Sequence, residues 1–183
     1  MKIVAIIPAR GNSKRLARKN IYPIWGHPMI SWAIKACQQS KYDIQPWVST
    51  EDEEIKSIAL DYGAKIHNRD PLLSGDHVYK QAVIRSAAKH IFKETQPDIV
   101  ISLQANSPQI KSKHLDSAIE TFLEHNRDEV FSVDTNLMQN AAFRIFRGKY
   151  VFQEDLSTNC GVVVCDLHDV HTLEDVEFLE NED

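Results

Sequence analysis

"MKIVAI", residues 1–6, runs straight into "IPARGNSKRLARKN", residues 7–20. The apolar, β-branched run reads as a buried strand. What leaves it is a loop holding the cations Arg10, Lys14, Arg15, Arg18 and Lys19 with a single glycine, Gly11, and small polar residues. A loop at the carboxyl end of a first strand is where open α/β sheets bind ligands. Those cations can surround several phosphate oxygens, while Gly11 lets the backbone approach and turn amide hydrogens outward. A nucleoside triphosphate fits that description. With one glycine, the stretch matches neither GxxxxGK[ST] nor GxGxxG. A plain solvated basic loop is the competing reading, and charge alone does not separate the two.

Working outward, strand-like and helix-like segments alternate. "PMISWAIKACQQS" (28–40) reads as an amphipathic helix opened by Pro28, and "IQPWVST" (44–50) as a second strand despite Pro46. "EDEEIKSIALDYG" (51–63) has acids in its first turn and a stop at Gly63. The strand "AKIHN", the loop "RDPLLSGDH" and a helix over 78–93 follow. Next come the central strand "DIVISLQ", the helix "SKHLDSAIETFLEH" and the strand "EVFSVDT". This order predicts an α/β fold: a Rossmann-like three-layer sandwich with a mainly parallel mixed sheet. Sites are then expected after Pro8, Ser49, His67 and Leu103. "FRIFRGKYVFQ" (143–153) reads as a hairpin turning at Gly148-Lys149, "NCGVVVCDL" as a strand and "TLEDVEFLE" as a closing helix. No repeat or linker interrupts the chain, which is expected to form one domain over 1–183.

Composition narrows the function classes. A net charge of −5, with positive charge concentrated in one loop, argues against nucleic acid as the main partner. Cys37, Cys160 and Cys165 form neither an even framework nor a CxxC pair, which predicts a reducing compartment and buried thiols. The apolar run of "MKIVAIIPAR" is too short for a signal core, and no stretch reaches membrane-spanning length. The expectation is a cytoplasmic protein with no membrane partner.

"IPARGNSKRLARKNIYPIWGHPMISWAI" resembles the first motif of the sugar-acid cytidylyltransferases, the family of CMP-N-acetylneuraminate synthetases and, more distantly, CMP-Kdo synthetases. The matching positions are Pro8, Ala9, Arg10, Gly11, Ser13, Lys14, Lys19, Asn20, Gly26 and Pro28. Four more follow in the family's order: "VST" at 48–50, "RDPLLSGD" at 69–76, "LQANSP" at 103–108 and "DVHTLEDVEFLE" at 169–180. The resemblance implies a nucleotide-diphospho-sugar transferase type of fold. It also implies transfer of CMP from CTP to a sialic-acid-like nonulosonate, releasing pyrophosphate. Two alternatives remain: a nucleotidyltransferase of this fold with another base or acceptor, and a degenerate homologue that binds nucleotide without turnover.

Carried over residue by residue, the resemblance gives Arg10 and Lys19 to the phosphates, helped by amides near Gly11 to Lys14, with Ala9 and Ser13 in the same loop. Asn20 would read cytosine, Arg69 would lie near the base, and Asp76 would shape that loop. A local Arg69–Asp76 pair is the simpler alternative. Gln104 would touch the sugar, and Asn106 and Ser107 offer neutral hydrogen-bonding groups beside it; a strand-end turn stopped by Pro108 is the alternative. Mg²⁺ is the implied cofactor. The family's Asp-x-Asp becomes Asp169 and His171, and imidazole suits Mg²⁺ poorly. His171 would bind through water, favour a softer ion or not bind; alternatively Asp169 and His171 cap the last helix beside Thr172. Homodimerisation is implied as well, weakened because much of the family's dimerisation segment is missing. The other histidines show no ligand spacing, and no nucleophile elbow is visible.

Overall fold

The computed structural model describes residues 1–182. In chain order the elements are β1 (Ile3–Pro8), a two-strand ribbon of β2 (Pro23–Ile24) and β3 (His27–Pro28), α1 (Met29–Gln38), β4 (Ile44–Thr50), α2 (Glu53–Asp61) and β5 (Lys65–Asn68). They continue with α3 (Lys80–Glu94), β6 (Ile99–Leu103), α4 (Ser112–Glu124), β7 (Glu129–Val133), β8 (Gln139–Arg147), β9 (Cys160–Val164) and α5 (Leu173–Asn181). Seven strands form one sheet in the order β5-β4-β1-β6-β8-β7-β9. Only β8 runs against the rest. The expected mainly parallel mixed sheet is therefore present, with helices on both faces.

Sequence explains the layering. β6 along its whole length and β1 up to Ile7 are buried because apolar side chains face helices on either side. Alternate residues of β1 divide between two cores: Ile3, Ala5 and Ile7 pack with α1, α2 and α4, whereas Val4 and Ile6 pack with α3. A third cluster joins Val176 and Leu179 of α5 to Ile24, Met29 and Leu16 of the first loop. The tail of the chain is thus held against the loop that follows β1. Pro46 is accommodated in β4 because pairing with β5 starts only at Trp47.

Two sequence expectations need correction. The predicted helix over 78–93 runs from Lys80 to Glu94. The predicted hairpin at Gly148-Lys149 does not form; β8 instead returns on β7 through a turn at residues 134–138. There the Asp134 carboxylate accepts from the amides of Asn136 and Met138, and Leu137 adopts a positive φ of 63°. β8 then slots between β6 and β7. Residues 148–152 form a 3₁₀ turn whose Val151 and Phe152 are apolar because they pack near α3, not because they return as a strand. All three cysteines are free, and Cys37 and Cys165 are buried, whereas Cys160 is only partly so. Among the described residues, no helix is long and apolar enough to cross a membrane.

Candidate active site

A cleft of about 270 Å³ opens at the carboxyl ends of the central strands. Of the residues expected at the site, Arg10, Ser13, Lys19, Asn20, Arg69, Asp76, Gln104 and Asn106 line it together. Ala9, Gly11, Lys14, Ser107, Asp169 and His171 do not line it. A larger hollow of about 590 Å³, beside Trp25, Trp32 and Lys35, shares no lining residue with the cleft.

The cations of the first loop have unequal partners. Arg18, in a left-handed conformation at φ 55°, forks onto Asp52 at 2.5 and 2.9 Å and reaches Glu54 at 2.6 Å. Asp52 is also the N-cap of α2, accepting from the amides of Glu54 and Ile55. Its bond with Arg18, aided by those amides against the cost of burial, lowers its pKa to about 2. Arg10 and Lys14 share Asp76, at 2.8 and 2.5 Å. Gly11 was expected to offer a free amide, but its N–H donates to Glu51 Oε1 at 2.8 Å. A methyl group at Gly11 would collide with the Asp52 carboxylate, so the glycine is needed for this close approach. Buried Asn20 donates from Nδ2 to the Arg10 carbonyl at 2.9 Å, bracing the loop across its base.

Lys19 and Arg15 are the cations of this loop without a carboxylate within ion-pair distance among the described residues. Burial lowers the pKa of Lys19, as do Arg15 and Arg10, while Asp169 and Asp175 oppose the shift. A positive charge held in this way is stabilised by an arriving anion.

Arg69 and Asp76 do not pair with each other. Arg69 is buried, donating to the Ser49 carbonyl at 2.6 Å and lying 3.8 Å from Glu51. Ser49 Oγ also meets His67 Nδ1 at 2.9 Å, and burial lowers the His67 pKa to about 4, keeping the ring neutral. Ala9 is buried, with its amide bonded to the Ser49 carbonyl at 3.0 Å.

On the other side of the cleft, Asn106 clips the tail in place. Its Nδ2 donates to the Val170 carbonyl at 2.7 Å, and the Val170 amide donates back to the Asn106 carbonyl at 2.8 Å. The Ser107 hydroxyl, also buried, donates to Asp169 Oδ1. The helix cap expected as an alternative role for Asp169 and His171 belongs to Thr172 and Asp175. Thr172 Oγ1 accepts from the Asp175 amide, and Asp175 Oδ2 accepts from the amides of His171 and Thr172 at 2.7 and 2.8 Å. Although burial works against its ionisation, these donors and His168 hold the Asp175 carboxyl below the usual range. His171 contributes only its backbone to the cap, and the Asp169 side chain takes no part. The His171 ring has a buried Nδ1 without a hydrogen-bond partner, and burial, followed by Lys19 and Arg15, lowers its pKa.

Lys80 is a cleft residue that sequence reading missed. As the first residue of α3, it donates from Nζ to Gln104 Oε1 at 2.7 Å and to the Ala141 carbonyl at 3.2 Å. The cleft leaves it open to solvent yet crowds protein around the ammonium, which lowers its pKa to about 8 against the pull of Asp169. One signal was available. A lysine in a helix's first turn opposes the helix dipole, so its position there calls for another cause.

The donor set suits a hard cation held largely by phosphate oxygens. Asp169 offers carboxylate oxygens within electrostatic reach of both Lys19 and Lys80. Among the described residues, no group of three or more His, Cys, Asp or Glu forms an all-protein metal cage.

Comparison with known proteins follows the same line. Residues 4–173 match the family model for cytidylyltransferases. N-acylneuraminate cytidylyltransferase A of Danio rerio is 40% identical over 131 residues, which is 72% of this chain and 30% of that protein. Pseudaminic acid cytidylyltransferase of Campylobacter jejuni is 38% identical over 134 residues, 72% of this chain and 58% of that one. The chain therefore spans well under two thirds of these curated relatives. Among solved structures, CMP:2-keto-3-deoxy-manno-octonic acid synthetase complexed with CTP superposes with a TM-score of 0.76 at 16% identity, covering 100% of this chain and 98% of that one. A Mycobacterium tuberculosis protein in complex with manganese gives 0.70 at 14% identity, covering 100% of both. At these identities the two structures speak to the fold alone. With nearly the whole chain matched by the family model, the protein belongs to the cytidylyltransferase family.

Proposed function

We propose that the cleft transfers CMP from CTP to a sugar acid of the nonulosonate type, releasing pyrophosphate. The observation that carries this reading is Lys19: a half-buried ammonium with no carboxylate partner, on the cleft wall, with Asp169 close enough to act on the same phosphates. In the reaction a sugar hydroxyl oxygen forms a bond to the α-phosphorus, the bond from that phosphorus to the bridging oxygen breaks, and pyrophosphate departs with the electron pair. The hydroxyl proton passes to solvent. Lys19, aided by Arg10, offsets the charge gathering on the phosphate oxygens. Asn20 holds the loop in shape through the Arg10 carbonyl, and its side-chain oxygen would be the group left to read the base.

Mg²⁺ fits this reading, with Asp169 as its protein ligand; when bound, the ion would neutralise phosphate charge and hold the triphosphate in line. Ser107 fixes the Asp169 carboxylate, and Asn106 fixes the backbone that carries it. His171, kept neutral, adds no further positive charge beside Lys19. The relatives named for N-acylneuraminate and pseudaminic acid support the acceptor class.

Incubating the chain with CTP, Mg²⁺ and a panel of sugar acids tests the proposal by pyrophosphate release. Release that requires both CTP and an acid is expected. Tight CTP binding without release would return the protein to the binding-only alternative, and faster release from another triphosphate would move it to a different base.

A further inference from the structure

We propose that Lys80 receives the carboxylate of the acceptor and thereby makes the site select sugar acids over neutral sugars. This deepens the transfer reading above and rests on it. An acid acceptor creates an electrostatic difficulty, since its carboxylate must come close to a triphosphate that already carries several negative charges. A cation separate from those holding the phosphates is required.

Two of the four cations that line the cleft are already engaged. Arg10 is tied to Asp76, and Arg69 is buried against Ser49 and Glu51. Lys19 comes from the loop after β1, on the phosphate side. Lys80 stands apart from it, at the start of α3, tethered to the end of β6 by Gln104 and to β8 by Ala141. Both tethers are neutral oxygens. Among the described residues, no carboxylate lies within ion-pair distance of Lys80, so its charge is met only by the longer-range field of Asp169. The ammonium carries three protons, and two are used.

The grip on Gln104 adds a second donor. Because Lys80 takes the Oε1 end, the Nε2 end is left to donate, and among the described residues it has no partner. An ammonium N–H beside an amide N–H is a two-pronged donor set, matched to the two oxygens of a carboxylate and charge-assisted on one side. A neutral sugar would leave the ammonium proton unanswered and lose that term.

Steady-state kinetics on wild type, Lys80→Met and Lys80→Arg, with KM measured separately for CTP and for the sugar acid, tests the assignment. Lys80 lies on the cleft wall outside the buried core, so both variants should fold, and circular dichroism checks that. Lys80→Met should raise the KM for the acid roughly 10- to 100-fold while kcat and the KM for CTP stay within about twofold, and Lys80→Arg should recover part of the loss. The carboxamide analogue of the acid should be used equally poorly by wild type and Lys80→Met. A wild type active on sugar acids whose KM is shared by Lys80→Met would overturn this assignment alone, as would a fall confined to kcat. A wild type that binds CTP but turns over no sugar acid would overturn the transfer reading, and this assignment with it.

Discussion

The loop after β1 lines the cleft, the segment ahead of α5 is clipped behind it to Asn106, and the two are built by opposite means. The first loop is shaped by distant charges: Arg18 reaches Asp52 and Glu54, Arg10 and Lys14 reach Asp76, and the Gly11 amide reaches Glu51. The second is shaped mainly by bonds to backbone groups, through the Asn106–Val170 clip and the Thr172–Asp175 capping box. Basic residues gathered in one loop therefore do not all have charge to spare. Arg10, Lys14 and Arg18 are spent on carboxylates, and among the described residues Lys19 and Arg15 are not; of these two, only Lys19 lines the cleft. In the tail, the carboxylate that the cap leaves out is Asp169, the one proposed above to hold the metal.

The largest expected effect tests that last point. Asp169→Asn should lower kcat roughly 100- to 1,000-fold while lowering CTP affinity far less, because a metal ligand acts mostly on charge formed in the transition state. A Mg²⁺ titration of pyrophosphate release measures it. An unchanged titration would make the tail a purely structural strap.

Next in size is the contrast within the first loop. Lys19→Ala should weaken CTP binding roughly 10- to 100-fold in calorimetry, the scale of a charge-assisted phosphate contact. Arg18→Ala should instead lower Tm and leave CTP affinity within a few-fold, since its guanidinium is spent on Asp52 and Glu54. Equal losses of CTP affinity in the two variants would erase the distinction between folding and binding cations.

Much of this was legible in the sequence, and what was not has a physical cause. Strand-helix alternation placed β1, β4 and β6 because each is a short, mainly apolar run, and β5 because local stop signals frame it, such as Gly63 at φ 82° after α2. The pairing of β8 escaped because it is set by long-range sheet order: Arg144, Ile145 and Phe146 pair with β6 and β7 at once, and no local pattern announces a strand inserted between two others. Eight of the candidate residues that the resemblance brought forward line one cleft, since their motifs sit at strand ends, whereas six, Asp169 and His171 among them, do not. Their partners were another matter. That Asn106 holds Val170 and that Asp76 holds Arg10 are contacts 64 and 66 residues apart, set by the fold. Lys80 belongs to none of the matched motifs, and beyond its unfavourable place in the first turn of α3 it is its neighbours that reveal it.

Asn106→Ala should cost about 1–3 kcal/mol, because it strips a buried donor from the Val170 carbonyl. Thermal unfolding measures this, and a parallel fall in turnover would show that the clip also positions Asp169. Because amide and carbonyl do not titrate, the stability gap between wild type and this variant should stay flat between pH 6 and about pH 2. A gap that varied strongly with pH would mean that the clip supports a charged group more than it supports the backbone.

The smallest effect has the sharpest signature in pH. Asp52→Asn keeps a side-chain oxygen able to cap α2, so the substitution removes charge more than it removes the cap. The folded-state pKa of Asp52 is depressed from 3.8 to about 2, chiefly by its bond with Arg18. For a depressed carboxyl, the stabilisation is fully present above the unfolded value and disappears as pH falls through the folded one. The wild type should therefore exceed Asp52→Asn by about 1–2 kcal/mol at pH 6, a figure reduced from the full shift because Arg18 is 39% exposed and screened. Between about pH 4 and pH 2 the gap should close. High salt should shrink it at neutral pH as well, since the pair is partly open to solvent. Denaturant titrations of both proteins across that range check the prediction. A gap that persisted at pH 2 would mean that Asp52 holds the first loop through its capping geometry, and that this loop, like the tail, rests on bonds to the backbone rather than on charge.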